Sequence, residues 1–277
     1  FSSWDSFHDI LEVNPTFNET VKAVRNLRTI SDEHATQLPT VKQVGLFLRS
    51  HIQSSQPPLL VVSISGGVDS VLLLYAVRAA LIKLKDTGSA VPQLACVHIN
   101  YANRVTADHE ASFVKGLCEL MQIPLWIRKI SEIQRTRDSN REFYEDFTRE
   151  IRFSTYKTAI NKTIPNSANV DCPVLLGHNR DDTYENLLAN VGKGQKYDTL
   201  RGMESTGSEQ QTLIWRPLLK ASKAQIYADA TSLALPHLWD STPSWSDRGR
   251  MRDKIIPFLS ENLPRLLPGL ERLADHV

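Results

Sequence analysis

The chain has 277 residues, of which 41% are hydrophobic and 23% charged, enough for one large domain or for a large and a small one. No apolar run approaches membrane-spanning length, and three cysteines without short spacing (Cys96, Cys118, Cys172) argue against a disulfide scaffold, a zinc site or a redox pair. A net charge of +1 excludes a uniformly basic nucleic-acid binder, so any RNA contact must come from a local patch or from a segment outside this sequence.

Residues 1–40 are polar and irregular, apart from a short helical pattern over 20–27. They carry neither an initiator Met nor a signal-peptide pattern, so the sequence reads as a trimmed or processed chain. With its unpaired cysteines, that fits the cytoplasm, or an organelle matrix or stroma after removal of a targeting segment. Residues 1–55 are expected to form an N-terminal helical extension, ending in an amphipathic helix over 41–52 with Val41, Val44, Leu46, Phe47 and Leu48 as its apolar set. Gln56-Pro57-Pro58 then turns into an apolar, β-branched run over 59–64.

That run ends in Ser65-Gly66-Gly67-Val68-Asp69-Ser70, and a buried helical pattern continues to about Leu84. Strand, glycine turn and helix make an anion site: the first N–H groups of the helix lack intrahelical partners and its dipole favours negative charge. Gly66 and Gly67 let the backbone approach a phosphate, and Ser65 and Ser70 add hydroxyl donors. Asp69 would repel a bare phosphate, so it is expected to hold Mg²⁺ or a helix-start N–H. The loop is not the G-x-x-x-x-G-K-[ST] type, and Gly192-x-Gly194 lacks the third glycine and the preceding strand of a dinucleotide fingerprint. Two glycines alone would be an ordinary turn; the full hexapeptide between strand and helix reads as a phosphate site.

A second strand over 94–99 ends in the polar cluster Asn100-Tyr101-Ala102-Asn103-Arg104, and ligands in open α/β sheets bind off such carboxyl ends. A helix over 108–121, a third strand over 124–130, a polar linker over 132–140 and a long helix over 141–160 follow; on the last, Phe143, Phe147, Ile151 and Ser154 are expected to line one face. Arg149, Glu150 and Arg152 near its middle would be a solvated charge run on spacing alone. A fourth strand over 173–176 ends in Gly177-His178-Asn179-Arg180-Asp181-Asp182, followed by Glu185 on a helix. One Asp there is a routine helix cap, whereas two with His178 beside them suit a divalent metal carrying phosphates.

Lys193, Lys196 and Arg201 sit in a glycine-bracketed loop, and Arg248, Arg250 and Arg252 alternate in the tail; these are the local patches expected to meet an RNA backbone. A fifth strand over 213–218, a helix over 222–233 and a helical tail broken by Pro257, Pro264 and Pro268 complete the pattern. The alternation predicts a doubly wound, Rossmann-type parallel sheet of five strands within residues 56–220, followed by a small helical C-terminal subdomain over 221–277.

Ser65–Ser70 resembles the PP-loop of the N-type ATP pyrophosphatases, a superfamily of adenine nucleotide alpha hydrolase-like fold that splits ATP into AMP and pyrophosphate. Further segments resemble one branch, the tRNA(Ile)-lysidine synthetases. His98-Ile99-Asn100-Tyr101-Ala102-Asn103-Arg104 is similar to H-V-D-H-G-L-R, and Arg149-Glu150-Ile151-Arg152-Phe153 to R-E-A-R-Y. Gly177 to Asp182 with Glu185 is similar to G-H-H-A-D-D-Q-A-E, and Arg216-Pro217-Leu218-Leu219 equals R-P-L-L. Asp240 with Arg248-Gly249-Arg250-Met251-Arg252 resembles D-P-S-N ending in R-N-R-I-R. Asn100 stands where that family has an Asp, Tyr101 and Asn179 where it has His, and Gly249 where it has Asn.

The resemblance implies a ligase that uses ATP and Mg²⁺ to adenylate the C2 oxygen of the wobble cytidine in an isoleucine tRNA. Lysine or another amine then displaces AMP. Ser65, Gly66, Gly67, Val68, Asp69 and Ser70, with Asn100 and Gly177, would hold the nucleotide. Asp69, Asp181 and Asp182 would manage the metal; Arg104 and Arg152 would contact phosphate or adenylate, and His178 would assist. A homodimer or larger assembly also fits. So do a small-molecule AMP-forming ligase or amidase and a silent nucleotide-binding scaffold, whereas a sulfur-transferring enzyme would need paired cysteines.

Overall fold

Each apolar run is short and β-branched, and strands of that kind persist only when both faces of their sheet are covered. The computed structural model describes residues 32–103, 105–133, 141–165, 170–194, 202–239 and 246–275. In chain order these form α1 (Asp32–Gln37), α2 (Pro39–Ser55), β1 (Leu59–Ser63), α3 (Val68–Asp86), β2 (Gln93–Asn100), α4 (Ala107–Met121), β3 (Leu125–Lys129) and α5 (Arg141–Thr163). Then follow β4 (Val174–Leu175), α6 (Arg180–Gly192), β5 (Thr206–Glu209), β6 (Thr212–Trp215), α7 (Lys223–Ser232), α8 (Asp247–Arg250), a π-turn (Met251–Ile255), α9 (Ile256–Asn262) and α10 (Leu266–Asp275). The expected 20–27 helix lies outside the described residues.

The strands run in the order β3-β2-β1-β4-β6-β5. All neighbours are parallel except β5, which pairs antiparallel with β6. The sheet is therefore the doubly wound one expected, with six strands instead of five. The addition, Thr206–Glu209, has no apolar alternation to betray it; it forms by pairing back on β6 through Gln210 and Gln211. The chain leaves β1 toward β2 and β3, then returns to the other side of β1 as β4. That reversal opens a crevice between the carboxyl ends of β1 and β4.

Alternate strand residues feed opposite layers. Leu60, Val62 and Ile64 join Leu72, Phe113 and Ile226 on one side, whereas Leu59 and Val61 join Val97, Phe153 and Tyr156 on the other. Helix α2 belongs to the first layer, with Val41, Val44, Leu48 and Ile52 buried in the same core as α3. Helix α5 buries Tyr144, Thr148, Phe153, Tyr156 and Ile160 rather than the expected face. Phe143 is 60% exposed and stacks on Phe147 at 6.0 Å, because the sheet meets the helix along the stripe that carries Phe153 and Tyr156. Helices α9 and α10 dock on α6 through Tyr184, Leu187, Ile256, Leu267 and Ala274.

Candidate functional site

The anion loop is built by local bonds. Ser70 Oγ donates to Gly67 O at 2.9 Å, Ser65 Oγ accepts from Gly67 N at 3.3 Å, and the two serine hydroxyls lie 3.1 Å apart. Gly66 holds φ +89°, and a Cβ there would stand 2.7 Å from Leu238 Cδ1, so both conformation and space call for glycine. Leu238 N donates to Gly66 O at 2.9 Å and straps the chain after α7 onto the loop. Gly67 caps α3 without a side-chain bond, which leaves the first-turn N–H groups facing the crevice.

The loop after β4 lies directly against it. A Cβ on Gly177 would come within 3.1 Å of Asp69 C and Ser70 N, so the two loops are in backbone contact. Asn179 caps α6: its Oδ1 accepts from Asp181 N and Asp182 N while Asp182 Oδ2 accepts from Asn179 N. The same side chain donates through Nδ2 to Asp69 Oδ1 at 3.0 Å, and Lys223 Nζ bonds Asp69 Oδ2 at 2.5 Å. Burial raises the Asp69 carboxyl above its ordinary value, opposed by the Lys223 ammonium. Between these loops lies a cavity of about 370 Å³. Its walls include Ser65, Gly67, Val68, Asp69, Ser70, Arg152, Gly177, His178, Asp182 and Lys223. Tyr156, whose hydroxyl bonds Ser63 Oγ at 2.7 Å and is pushed up to about 12 by burial, closes the floor as a neutral phenol.

A family model described as a PP-loop domain matches residues 40–259. The chain belongs to the PP-loop family. Among similar proteins, the tRNA(Ile)-lysidine synthase of Chlamydia muridarum is 29% identical over 79% of this chain and 62% of its own. That of Pseudomonas fluorescens is 28% identical over 78% and 45%, and the bifunctional protein TilS/HprT of Listeria innocua 25% identical over 85% and 35%. This PP-loop chain thus spans between 35% and 62% of the length of these relatives. In fold it is similar to the U34-tRNA thiolase NcsA of Methanococcus maripaludis with its [4Fe-4S] cluster, at TM-score 0.65 and 20% identity, covering 89% of this chain and 81% of that one. It also matches the NH3-dependent NAD synthetase of Campylobacter jejuni, at TM-score 0.50 and 17% identity, covering 86% and 90%. None of the residues lining the PP-loop cavity is a cysteine; Cys96, Cys118 and Cys172 are all buried elsewhere.

Several expected site residues are placed differently. Asn100 is buried away from the PP-loop cavity, donating to Asp108 Oδ1 at 2.7 Å and accepting from Ala102 N at 2.9 Å to shape the turn into α4. Asp181 accepts from Lys223 N at 2.8 Å and so caps α7 instead of facing the crevice. Arg248 and Arg252 are not a free RNA patch: both pair with Asp182 and Glu185, at 2.5 to 3.4 Å, and clamp the C-terminal helices onto α6. Two nearly buried carboxylates on α6 have to be neutralised, and these arginines do it. Arg250 and Lys193 remain exposed, while Arg104, Lys196, Arg201 and Asp240 lie outside the described residues. Arg152 faces the cavity without a carboxylate partner among the described residues, its guanidinium 5.5 Å from the Phe153 ring.

His178 is held by Arg216, whose Nε donates to its Nδ1 at 3.1 Å. Burial, and then the Arg216, Arg248 and Arg152 charges, push its pKa down to about 4 against the pull of Asp182. At neutral pH it is therefore an uncharged ring that adds no positive charge to a phosphate site. Lys223, Glu209 and Trp239 join the site without having been singled out in the sequence. Lys223, on a helix with no glycine signature, shows no local signal of its contact with Asp69. Arg216 carried one in its motif, without a role attached.

Proposed function

We propose that this PP-loop chain binds ATP with its phosphates on the Ser65–Ser70 loop and splits it into AMP and pyrophosphate to modify a tRNA. The observation that carries this reading is the cavity itself. A helix start, Arg152 (without a carboxylate partner among the described residues) and the Lys223 ammonium converge where backbone contact joins the loops after β1 and β4. Helix N–H groups and fixed cations are what a departing pyrophosphate needs. The tRNA(Ile)-lysidine synthase relatives support a tRNA as the substrate. In the finer form of the proposal, the C2 oxygen of the wobble cytidine is adenylated and the amine of lysine displaces AMP.

Among the described residues no group of three or more His, Cys, Asp or Glu could hold a metal unaided. The donor set still suits Mg²⁺, which takes one or two carboxylates, keeps its waters and completes its shell with phosphate oxygens. Asp69 and Asp182 both line the cavity and would hold it. The ion would neutralise charge on the leaving pyrophosphate. The chain's own cations do the remaining work: Arg152 and Lys223 bind phosphate oxygens, and Gly177 keeps the two loops in register. Among the described residues no helix is long and apolar enough to cross a membrane.

A second reading, an AMP-forming ligase for a different amine, is favoured by one observation. Both ends of the Asn100 amide are engaged, so that position offers no carboxylate to a lysine ammonium. Pyrophosphate release from ATP, measured with and without tRNA and with lysine or other amines, separates the two. Release that depends on tRNA supports the proposal; release driven by a small molecule without RNA overturns it.

A further inference from the structure

The edge hairpin reaches the cavity through one side chain. Glu209 is the last residue of β5, facing Thr212 across a tight turn in which Gln210 and Gln211 take φ +45° and +59°. Two left-handed residues in succession are the mark of a two-residue hairpin whose twist matches its strands, and such a turn fixes the register. The register places Glu209 between two arginines, Arg149 of α5 at 2.9 Å and Arg216 just after β6. Arg216 is 8% exposed and engages three of its nitrogens: Nη2 with Glu209, Nη1 with Glu204 O at 3.0 Å, and Nε with His178 Nδ1 at 3.1 Å.

We propose that Glu209, acting through Arg216, positions His178 as a neutral hydrogen-bond donor whose Nε2–H faces the cavity. A guanidinium only donates and is never deprotonated in a protein, so the nitrogen it addresses must be a bare lone pair. The ring proton is then on Nε2, an atom with no partner among the described residues, on a ring that lines the cavity. Nδ1 is not available as a base because its lone pair is aimed at Arg216. A second ring proton would set an imidazolium against the same guanidinium, consistent with the depressed pKa. The ring can therefore donate one bond to an oxygen of the bound nucleotide or of the activated carbonyl, and the proton of an incoming amine has to leave by another route. Arg216 and Glu209 are positioning residues; resting on the adenylation reading, His178 alone would touch the reacting atoms.

The test uses the full chain labelled with ¹⁵N-histidine. Long-range proton–nitrogen correlations report which ring nitrogen carries the proton, and His178→Gln identifies the His178 signal. The parent at pH 7 should show Nε2–H alone, and Glu209→Gln and Arg216→Lys should each shift it toward a mixture. Glu209→Gln, at a part-exposed strand end, keeps the test available if the buried Arg216 variant does not fold. A proton on Nδ1, a mixture in the parent, or a tautomer unmoved by both substitutions overturns the positioning. In ATP turnover, His178→Ala should lose on the order of 10²- to 10³-fold, the scale for removing one donor to developing charge. His178→Gln, which can place an amide N–H near the same point, should stay within about tenfold of the parent. Equal losses in the two variants overturn the donor role. A parent chain that turns over no ATP would defeat the adenylation reading, while the tautomer result would still decide the positioning.

Discussion

Gly177→Ala tests whether contact between the loops after β1 and β4 is what makes the site. The added methyl would meet Asp69 C and Ser70 N at 3.1 Å and Asp69 Cβ at 3.3 Å. Two of these three atoms are backbone and cannot rotate aside, so the loops must part by a few tenths of an ångström. Overpacking of that size costs about 1 to 3 kcal/mol. For a chain this long the melting temperature should fall by roughly 2 to 12 °C, at about 2 to 4 °C per kcal/mol. The same displacement lengthens the Asn179–Asp69 bond and moves His178 off the loop, and misplacement on this scale costs about ten- to a hundredfold in turnover. The assay is pyrophosphate release at saturating ATP alongside thermal unfolding. Gly45→Ala is the control: it sits inside α2 with nothing within 4 Å of its Cβ, and should gain about 0.5 to 1 kcal/mol of stability at unchanged turnover. A Gly177→Ala protein that melts and turns over like its parent would show that contact between the two loops does not make the site.

Asp69→Asn should abolish Mg²⁺-dependent pyrophosphate release with the fold intact, since burial already disfavours the charged carboxyl; undiminished release would remove Asp69 from the site. Arg152→Ala should raise the KM for ATP about tenfold or more with little change in melting temperature, because no carboxylate among the described residues is left unpaired by it. His178 has a folded pKa of about 4, below the 6.5 of a free imidazole, so the unfolded chain binds the extra proton first. Stability from this group is complete above pH 6.5 and is lost as the pH falls toward 4, and His178→Gln should flatten that acid limb by a few kcal/mol at most, read by denaturant unfolding across the range.

What could be read in the sequence was what local chemistry dictates. The strand, the Ser65–Ser70 turn and the α3 helix are contiguous, and the β4 loop is a second polar strand end of the same kind, so both pointed to the crevice. The partners that complete the site were hidden because they come from far along the chain. Lys223 reaches Asp69 across 154 residues, and nothing near either one announces it. Arg248 and Arg252 looked like a free basic run because their counter-charges, Asp182 and Glu185, lie on another element. Thr206–Glu209 escaped notice as a strand for a different reason: it is an edge held by its hairpin, not by apolar alternation, and it brought Glu209 and the hold on His178 with it.

The proposed function requires this cavity to break ATP between its α and β phosphates in the service of an RNA. ATP labelled on its α-phosphate, incubated with the chain, Mg²⁺, lysine and an isoleucine tRNA, tests that directly when the products are resolved. Labelled AMP should form with an equal amount of pyrophosphate, only when the tRNA is present, and should be lost in Asp69→Asn. Labelled ADP, or AMP formed at the same rate without any RNA, would contradict it.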